Sequence, residues 1–497
     1  MATLDPAAAS GDWARAEVEE RELLKTMSWW DGFMIALANP GFLIAALGGS
    51  IASLGTAGAL VLWIVSVAIG TLQNNIYAEL AAMFPEKSGG IAIYAHEAWR
   101  KYFSPIGAIA TFGYWFAWST VLSISGLVCG TLIVTEFFPS ATWSVSYGHF
   151  SLNWPIVIAI LMLLLVWIFN SRGIRSTVIF SYVTGVALMI PLLVMMLVPY
   201  FTGDWQASNM NWNIGSGGSA VGLILTWMYF MGWSSYGFEA CATVAPEYRD
   251  TVVDTPKALR TAAAFSVFVY ALLPLGLGGT LGTKAVAADP TYIVFYAKAL
   301  NQIAGSFGGR LLIICMVFGI VLTMSTATLD GSRAIYGIAK DGMTIRWFDN
   351  LNEHNVPGRG MAIDAFMNIF LVVFFGSAIA ILAAGNLGYM LAHFFALSGF
   401  VLLRKDRPNW PRPIKLGKAW VWIGGALAGL NLLFVVAGGF IFADEFGYGL
   451  SKTMLGASVL VIALVLYFYR RLVEDKTHIQ WREPTPDVPE VEMVSHR

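Results

Sequence analysis

The sequence predicts an all-α polytopic membrane protein of twelve transmembrane helices, the first and sixth of them discontinuous. Three observations carry this expectation. The 497 residues are 57% hydrophobic and only 12% charged, whereas soluble domains carry about 25% charged residues. Apolar stretches able to cross a hydrocarbon layer about 30 Å thick recur near 31–53, 57–83, 105–135, 154–171, 177–200, 219–245, 261–281, 309–332, 361–383, 387–403, 418–442 and 453–470. Two of them, one in each half, are interrupted at mid-span by Asn39-Pro40-Gly41 and by Ser234-Ser235-Tyr236-Gly237.

Residues 1–27 are polar and lack an apolar core of signal-peptide type, so span 1 is expected to act as its own insertion signal. An even number of spans puts both termini on one side. Of the 30 Lys and Arg, only Lys284, Lys298, Arg310 and Lys452 fall in loops of the other side, so the terminal side is expected to be cytoplasmic and the location the plasma membrane. No basic residue is left for the interior of a span.

Span 2 runs to Phe84-Pro85, and Ile91 to Phe103 reads as a helix lying at the cytoplasmic interface. The opposite-side stretches 137–153 and 201–218 are rich in Trp, Ser, Asn and Gly and read as ordered caps. Residues 286–307 suit an amphipathic helix between spans 7 and 8, and 333–360 a long cytoplasmic loop. After Arg471 the polar chain with Pro484, Pro486 and Pro489 reads as a disordered tail. The expected organisation is a core at 28–404, in two repeats (28–200 and 219–404), then spans 11 and 12 at 405–470 and the tail 471–497. Cys129, Cys241 and Cys315 lie within spans, where a thiol packs as a small hydrophobe.

In hydrocarbon, a broken helix exposes peptide groups that water cannot satisfy, so such breaks persist where they line a cavity or bind something. Matching breaks in two halves point to a substrate site near the bilayer midplane. In span 1, Pro40 removes a donor and Gly41 relaxes the backbone, so the second half-helix is expected to start near Phe42 with N–H groups free for an electron-rich group. In span 6, Trp233, Ser234, Ser235, Tyr236 and Gly237 offer hydroxyls, an aromatic lid and a glycine. A kink or a packing notch is the structural alternative for either break alone.

Glu239 follows the second break. An intramembrane carboxylate is expensive and a functional candidate by default, so Glu239 is the candidate proton carrier, against a helix-tethering hydrogen bond. Glu79, Asp330 and Arg333 lie nearer the cytoplasmic ends and read as a gate or a surface ion pair, with Asp330 and Arg333 spaced to pair at i,i+3. Trp115 and Trp118 in span 3 are at helical spacing, and either can flank a cation. Ser325 and Thr326 in span 8 offer oxygens to a small cation, though hydroxyls there more often cap their own helix. His393 is a lone intramembrane imidazole. No metal-ligand spacing and no cofactor motif occurs, and a net charge of −1 gives no argument for nucleic acid.

Ordered signatures resemble the amino acid–polyamine–organocation (APC) permeases over about residues 28 to 470. They are Tyr77-Ala78-Glu79-Leu80-Ala81-Ala82-Met83-Phe84-Pro85 with Ser88-Gly89-Gly90, Asn170 with Gly173-Ile174-Arg175, and Gly237-Phe238-Glu239 leading to Glu247-Tyr248-Arg249-Asp250 and Pro256. Gly331-Ser332-Arg333 with Ala339-Lys340-Asp341-Gly342 completes the set. The resemblance implies a LeuT-like 5+5 inverted repeat, alternating access, and small amines or amino acids as substrates. Trp233-Ser234-x-x-Gly237-x-Glu239 is similar to a stretch of the family's arginine/agmatine antiporters, which implies that Trp233 stacks on substrate and Glu239 responds to protons. Two departures matter. The family's span 1 break is usually Gly-Ser/Ala-Gly, and Pro40 removes one carboxylate-binding N–H, which favours amines. Leu188 stands where many relatives place a lysine, so coupling is open between proton, exchange and sodium.

The expectation is a secondary transporter of a small amine, polyamine or amino acid, with a site between spans 1, 3, 6, 8 and 10. An ion channel would need a continuous polar pore or a ring of like charges. An enzyme would need a catalytic set that no span offers.

Overall fold

The computed structural model describes residues 22–215, 219–375, 378–443 and 450–488. Among these, nine helices are long and apolar enough to cross a membrane. Three expected spans are shorter: α6 (Trp154–Asn170), α9 (Ala220–Ser235) and α12 (Gly358–Phe374). The others are α1 (Trp29–Ala36) with α2 (Asn39–Leu54), α3 (Thr56–Met83), α5 (Ile106–Phe137), α7 (Ile174–Leu197), α10 (Thr251–Ala287), α11 (Phe295–Lys340), α13 (Ala378–Asp406), α14 (Ala419–Phe434) and α15 (Leu450–Tyr469). The short helices α4 (Gly90–Phe103) and α8 (Pro199–Thr202) and a hairpin of β1 (Ser144–Tyr147) and β2 (Phe150–Asn153) complete the order.

Burial separates the faces. Ile179, Val183, Val186, Ile190, Leu193 and Leu197 form an exposed apolar stripe at helical spacing on α7, as a lipid-facing helix requires. Inside, α5 packs on α11, α13 and α6, while α3 packs on α10.

The interruption of the first membrane segment falls at Leu37–Ala38, just before Asn39-Pro40-Gly41, and both residues keep right-handed helical dihedrals. Ala38 N–H bonds to Ile35 O at 3.1 Å and Gly41 N–H to Ala38 O at 2.9 Å. The expected start near Phe42 is therefore corrected to Asn39, because tight three-residue turns take up donors that Pro40 was expected to strand. In the second half, α9 ends at Ser235 and the chain continues as a 3-10 segment, Gly237–Ala242. Gly237 is required here by close approach: a Cβ would lie 2.7 Å from Asn39 Oδ1 and 2.8 Å from the Phe42 ring.

Other boundaries also move. Span 9 was expected to reach 383 and span 10 to begin at 387, yet α12 ends at Phe374 and α13 already starts at Ala378. Gly385 and Asn386 fall in the gap expected between those spans, yet with Gly388 they serve a helix contact. A Cβ on Gly388 would lie 2.3 Å from Gly113 Cα of α5, and Asn386 Nδ2 donates to Tyr229 O at 2.8 Å. The amphipathic helix expected at 286–307 is the first part of α11, bent at Gly305 (φ 70°). The loop expected from 333 begins only after Lys340.

The tail expected to be disordered is held as far as it is described. Trp481 stacks on Phe103 of α4, with centroids 5.7 Å apart. Glu483 binds Arg100 at 2.8 Å, Arg471 at 2.7 Å and Ser104 Oγ at 2.7 Å. Residues 489–497 lie outside the described residues.

Candidate functional site

Tyr270 of α10 joins the two interruptions. Its hydroxyl lies 3.1 Å from Asn39 O, 2.7 Å from Ser234 O and 2.8 Å from Ser234 Oγ. Asn39 Nδ2 donates to Ser266 Oγ at 3.0 Å, and Ser235 Oγ meets Ser66 Oγ of α3 at 2.6 Å. Ser234 and Ser235 thus spend their hydroxyls on neighbouring helices. Gly41 faces α11 so closely that a Cβ would lie 2.1 Å from Thr323 Cγ2.

Where the two segments meet, a cavity of about 10 Å³ is lined by Phe42, Ala117, Trp118, Val121, Trp233 and Tyr389. That is room for about one water. Phe42 meets Trp118 edge-on at 5.3 Å and Trp233 at 5.8 Å. Of the residues nominated from sequence, Phe42 and Trp233 line the cavity, and Asn39, Pro40, Gly41, Ser234, Ser235 and Gly237 form the backbone junction behind it. Tyr236 is turned away, with its ring against Gly70 and 5.2 Å from that of His393. Trp115 points to α12, donating from Nε1 to Asp364 Oδ1 at 2.7 Å, and its neighbour Trp118 takes the cavity face.

Glu239, in the 3-10 segment, is bonded to two residues of the cavity lining. Its Oε1 accepts from Tyr389 OH at 2.7 Å and Trp118 Nε1 at 3.3 Å. Its Oε2 accepts nothing from the described residues. Tyr389 also stacks on Tyr114, which donates to Asp330 Oδ1 at 3.1 Å. The lone imidazole, His393, accepts or donates at Nδ1 with Tyr77 OH at 2.7 Å and packs edge-on to Tyr389.

The expected pairing of Asp330 with Arg333 is corrected: Arg333 instead grips Glu247 through Nε and Nη2, both side chains buried. A carboxylate from another segment can meet two guanidinium nitrogens at once, which a neighbour one turn away on the same helix cannot match. Glu79 is held by Arg404 at 2.5 Å, Arg412 at 3.3 Å and Leu416 N–H at 2.8 Å. Beyond these pairs lies an open vestibule of about 450 Å³, lined by Lys25, Glu86, Lys87, Tyr336, Gly337 and Asp341 among others.

The hydroxyls nominated for a small cation are engaged by protein. Ser325 Oγ accepts from Asn170 Nδ2 at 3.0 Å, and Thr326 Oγ1 donates to Ile35 O at 3.2 Å. Leu188 is buried against Gly319. Among the described residues, His96, Glu97 and Asp341 have metal-ligating atoms within reach of one another. Cations already occupy that cluster: Lys87 pairs with Glu97 at 3.2 Å and Asp341 at 2.8 Å, and Arg407 with Glu97 at 2.8 Å. Burial pushes the Glu97 carboxyl up, but Lys87, His96, Arg407 and Arg100 together hold it at about 2.

Sequence reasoning missed Tyr389, Tyr114, Asp364 and the Glu247 partner of Arg333. Tyr389 and His393 do sit at i,i+4 on one helix face, and that spacing was the signal available.

Comparisons with known proteins agree with this architecture. An amino acid permease family model matches residues 27–465. An arginine/agmatine antiporter of Chlamydia trachomatis is 24% identical over 477 residues, covering 90% of this chain and 92% of the relative. A cadaverine/lysine antiporter of Escherichia coli is 21% identical over 440 residues, covering 87% and 91%. An arginine/ornithine antiporter of Lactococcus lactis is 22% identical over 342 residues, covering 64% and 62%. Interrupted helices that meet at an aromatic cavity inside a multi-pass membrane protein, together with a family match over nearly the whole chain, lead to one conclusion: the chain belongs to the amino acid permease family and is a transporter, not an enzyme.

Proposed function

We propose that the protein exchanges a small amine for an amino acid or a second amine across the plasma membrane by alternating access. In this reading the Lys/Arg-rich face is cytoplasmic and twelve spans include two inverted five-helix repeats, 28–200 and 219–404, in a LeuT-like arrangement. The three shorter helices complete the count, because a break or a tilt into the bundle lets a short helix serve where neighbours shield its ends.

The observation that supports this best is the aromatic cavity over Glu239, placed where the two interruptions touch. Phe42, Trp118 and Trp233 offer ring faces to a cation, and Glu239 supplies the negative charge. The backbone of Asn39-Pro40-Gly41 and Gly237 orients the ligand, and Trp233 stacks on it. A cavity of about 10 Å³ is far smaller than an amino acid, so the conformation is closed. Glu239 answers to protons as the ligand leaves. On the cytoplasmic side Arg333, with Glu247, and Glu79, with its arginines, hold the closed state. The activities of the relatives, arginine/agmatine and cadaverine/lysine exchange, support amino acid and amine as the exchanged pair.

The test is counterflow in proteoliposomes loaded with agmatine, cadaverine, arginine or lysine, with and without sodium. Uptake should need substrate on the opposite side, and amines should bind more tightly than their parent acids because Pro40 lacks an N–H. Glu239→Gln should flatten the pH profile. Flux without trans substrate, or an unchanged pH profile in E239Q, would overturn the reading.

A further inference from the structure

The layer between the cavity and the vestibule holds more carboxylate than cation. Glu239, Asp330 and Asp364 are each at most 1% exposed. One oxygen of each, Glu239 Oε2, Asp330 Oδ2 and Asp364 Oδ2, lacks a partner of good hydrogen-bond geometry among the described residues, with the Thr243 hydroxyl beside Asp330 and the Ser119 hydroxyl beside Asp364. Arg333 is one turn from Asp330, but its guanidinium is committed to Glu247. A buried carboxylate with no cation costs several kcal/mol, so each of these groups must take up either a proton or a cation.

The three acids differ in what surrounds them. Asp364 of α12 accepts from the Trp115 indole at 2.7 Å. Glu239 and Asp330 instead flank one pair of rings. Tyr389, bonded to Glu239, stacks on Tyr114 with centroids 6.0 Å apart and planes at 24°, and Tyr114 bonds to Asp330 at 3.1 Å. Thr243 Oγ1 lies 3.4 Å from Tyr114 OH and brings a further oxygen to the same spot. One turn along α11 from Asp330 comes Arg333, and the next turn, Tyr336 and Gly337, lines the vestibule. Asp330 therefore stands between Glu239 and the open cytoplasmic side.

We propose that Asp330, with Tyr114 and Thr243, forms an inner subsite for an alkylammonium group, occupied as the substrate passes between the cavity and the cytoplasm. A carboxylate oxygen, two hydroxyl oxygens and a neighbouring aromatic face are the groups that replace the hydration of an ammonium ion. The inference rests on the amine-exchange reading and adds a second station to it, one reached from the cytoplasmic side only after the Arg333–Glu247 pair has parted.

Because the subsite lies on one side of the cavity, its loss should act on one side of the membrane. In proteoliposomes of defined orientation, Asp330→Asn should raise the KM for cadaverine at the cytoplasmic face at least tenfold and leave the extracellular KM within twofold. Asp330→Glu should recover most of the loss. If D330N does not fold, Tyr114→Phe should raise the cytoplasmic KM alone, by about threefold. Equal changes at both faces, no change at either, or a shifted pH profile with both KM values unmoved would overturn the subsite. Wild-type protein lacking trans-stimulated cadaverine flux would overturn the exchange reading itself, and with it the subsite.

Discussion

Substituting Glu247 by Gln should open the Lys/Arg-rich side. Arg333 is 1% exposed and Glu247 fully buried, and the pair is bidentate, with Arg333 Nη1 also donating to Leu329 O at 3.2 Å. Removing one partner of such a pair costs about 3–5 kcal/mol, because the remaining charge stays buried. Gln keeps one acceptor, so the lower end, about 3 kcal/mol, applies to the closed state. Once the side opens, water reaches Arg333 and the substitution costs little. The closed-to-open balance should then move on the order of 100-fold, at 1.4 kcal/mol per tenfold. Cys241 is a built-in reporter: it is buried in the 3-10 segment, with Sγ donating to Gly32 O of α1 at 3.4 Å. With Cys129 and Cys315 replaced by alanine, its labelling by an impermeant maleimide from the Lys/Arg-rich face should accelerate on the order of 100-fold in E247Q. Joint replacement of Arg333 and Glu247 by methionine should return the rate toward the parent, since no unpaired charge is left. Labelling of folded E247Q within twofold of the parent would refute the reasoning.

Three further outcomes are expected. Glu97 has its carboxyl held at about 2 against an ordinary 4.5, with its side chain 2% exposed, so its contribution of about 3 kcal/mol is complete above the ordinary value and lost as pH falls toward 2. The melting gap between wild type and E97Q should be widest at neutral pH and close on acidification, and a gap that ignores pH would count against the ion-pair account. Gly388→Val forces a side chain into the α5 backbone and should cost at least about 1–3 kcal/mol by thermal shift, whereas Gly425→Val, where a Cβ meets nothing within 4 Å, should be neutral. Trp481→Ala removes an aromatic stack worth about 0.5–1.5 kcal/mol and should speed tryptic cleavage at Lys476 and Arg482, with an unchanged rate arguing against a docked tail.

Much of this fold is legible in hydropathy, because a bilayer demands apolar length before anything else. The limits of that reading are local. The gap expected at 384–386 lies inside α13 because Gly385, Asn386 and Gly388 serve helix contacts, a close backbone approach to α5 among them, that no single-chain pattern reveals. Pro40 marked the right region but not the right residue, since 3-10 hydrogen bonds absorbed the donors two residues earlier. At the site, Trp233, Phe42 and Glu239 were readable as costly or conspicuous groups near a break. Trp115 and Trp118 were indistinguishable until the helix rotation was known, and the Arg333–Glu247 pair spans 86 positions, beyond any local rule. Trp481 and Glu483 sit among prolines and charges that suggest a solvated chain, and only the groove between α4 and α15 explains why they settle.

The Tyr270 phenol has a mechanical consequence. A single oxygen touching the carbonyls of both Asn39 and Ser234 clamps the outer halves of the two interrupted segments to one strut, α10. Any swing that admits solute from the Lys/Arg-rich side must then pivot about Leu37–Ala38 and Tyr236, carrying α1 and the 3-10 segment as levers while the outer halves stay with the frame. Motion of the whole first segment as one rod would have to snap that clamp first.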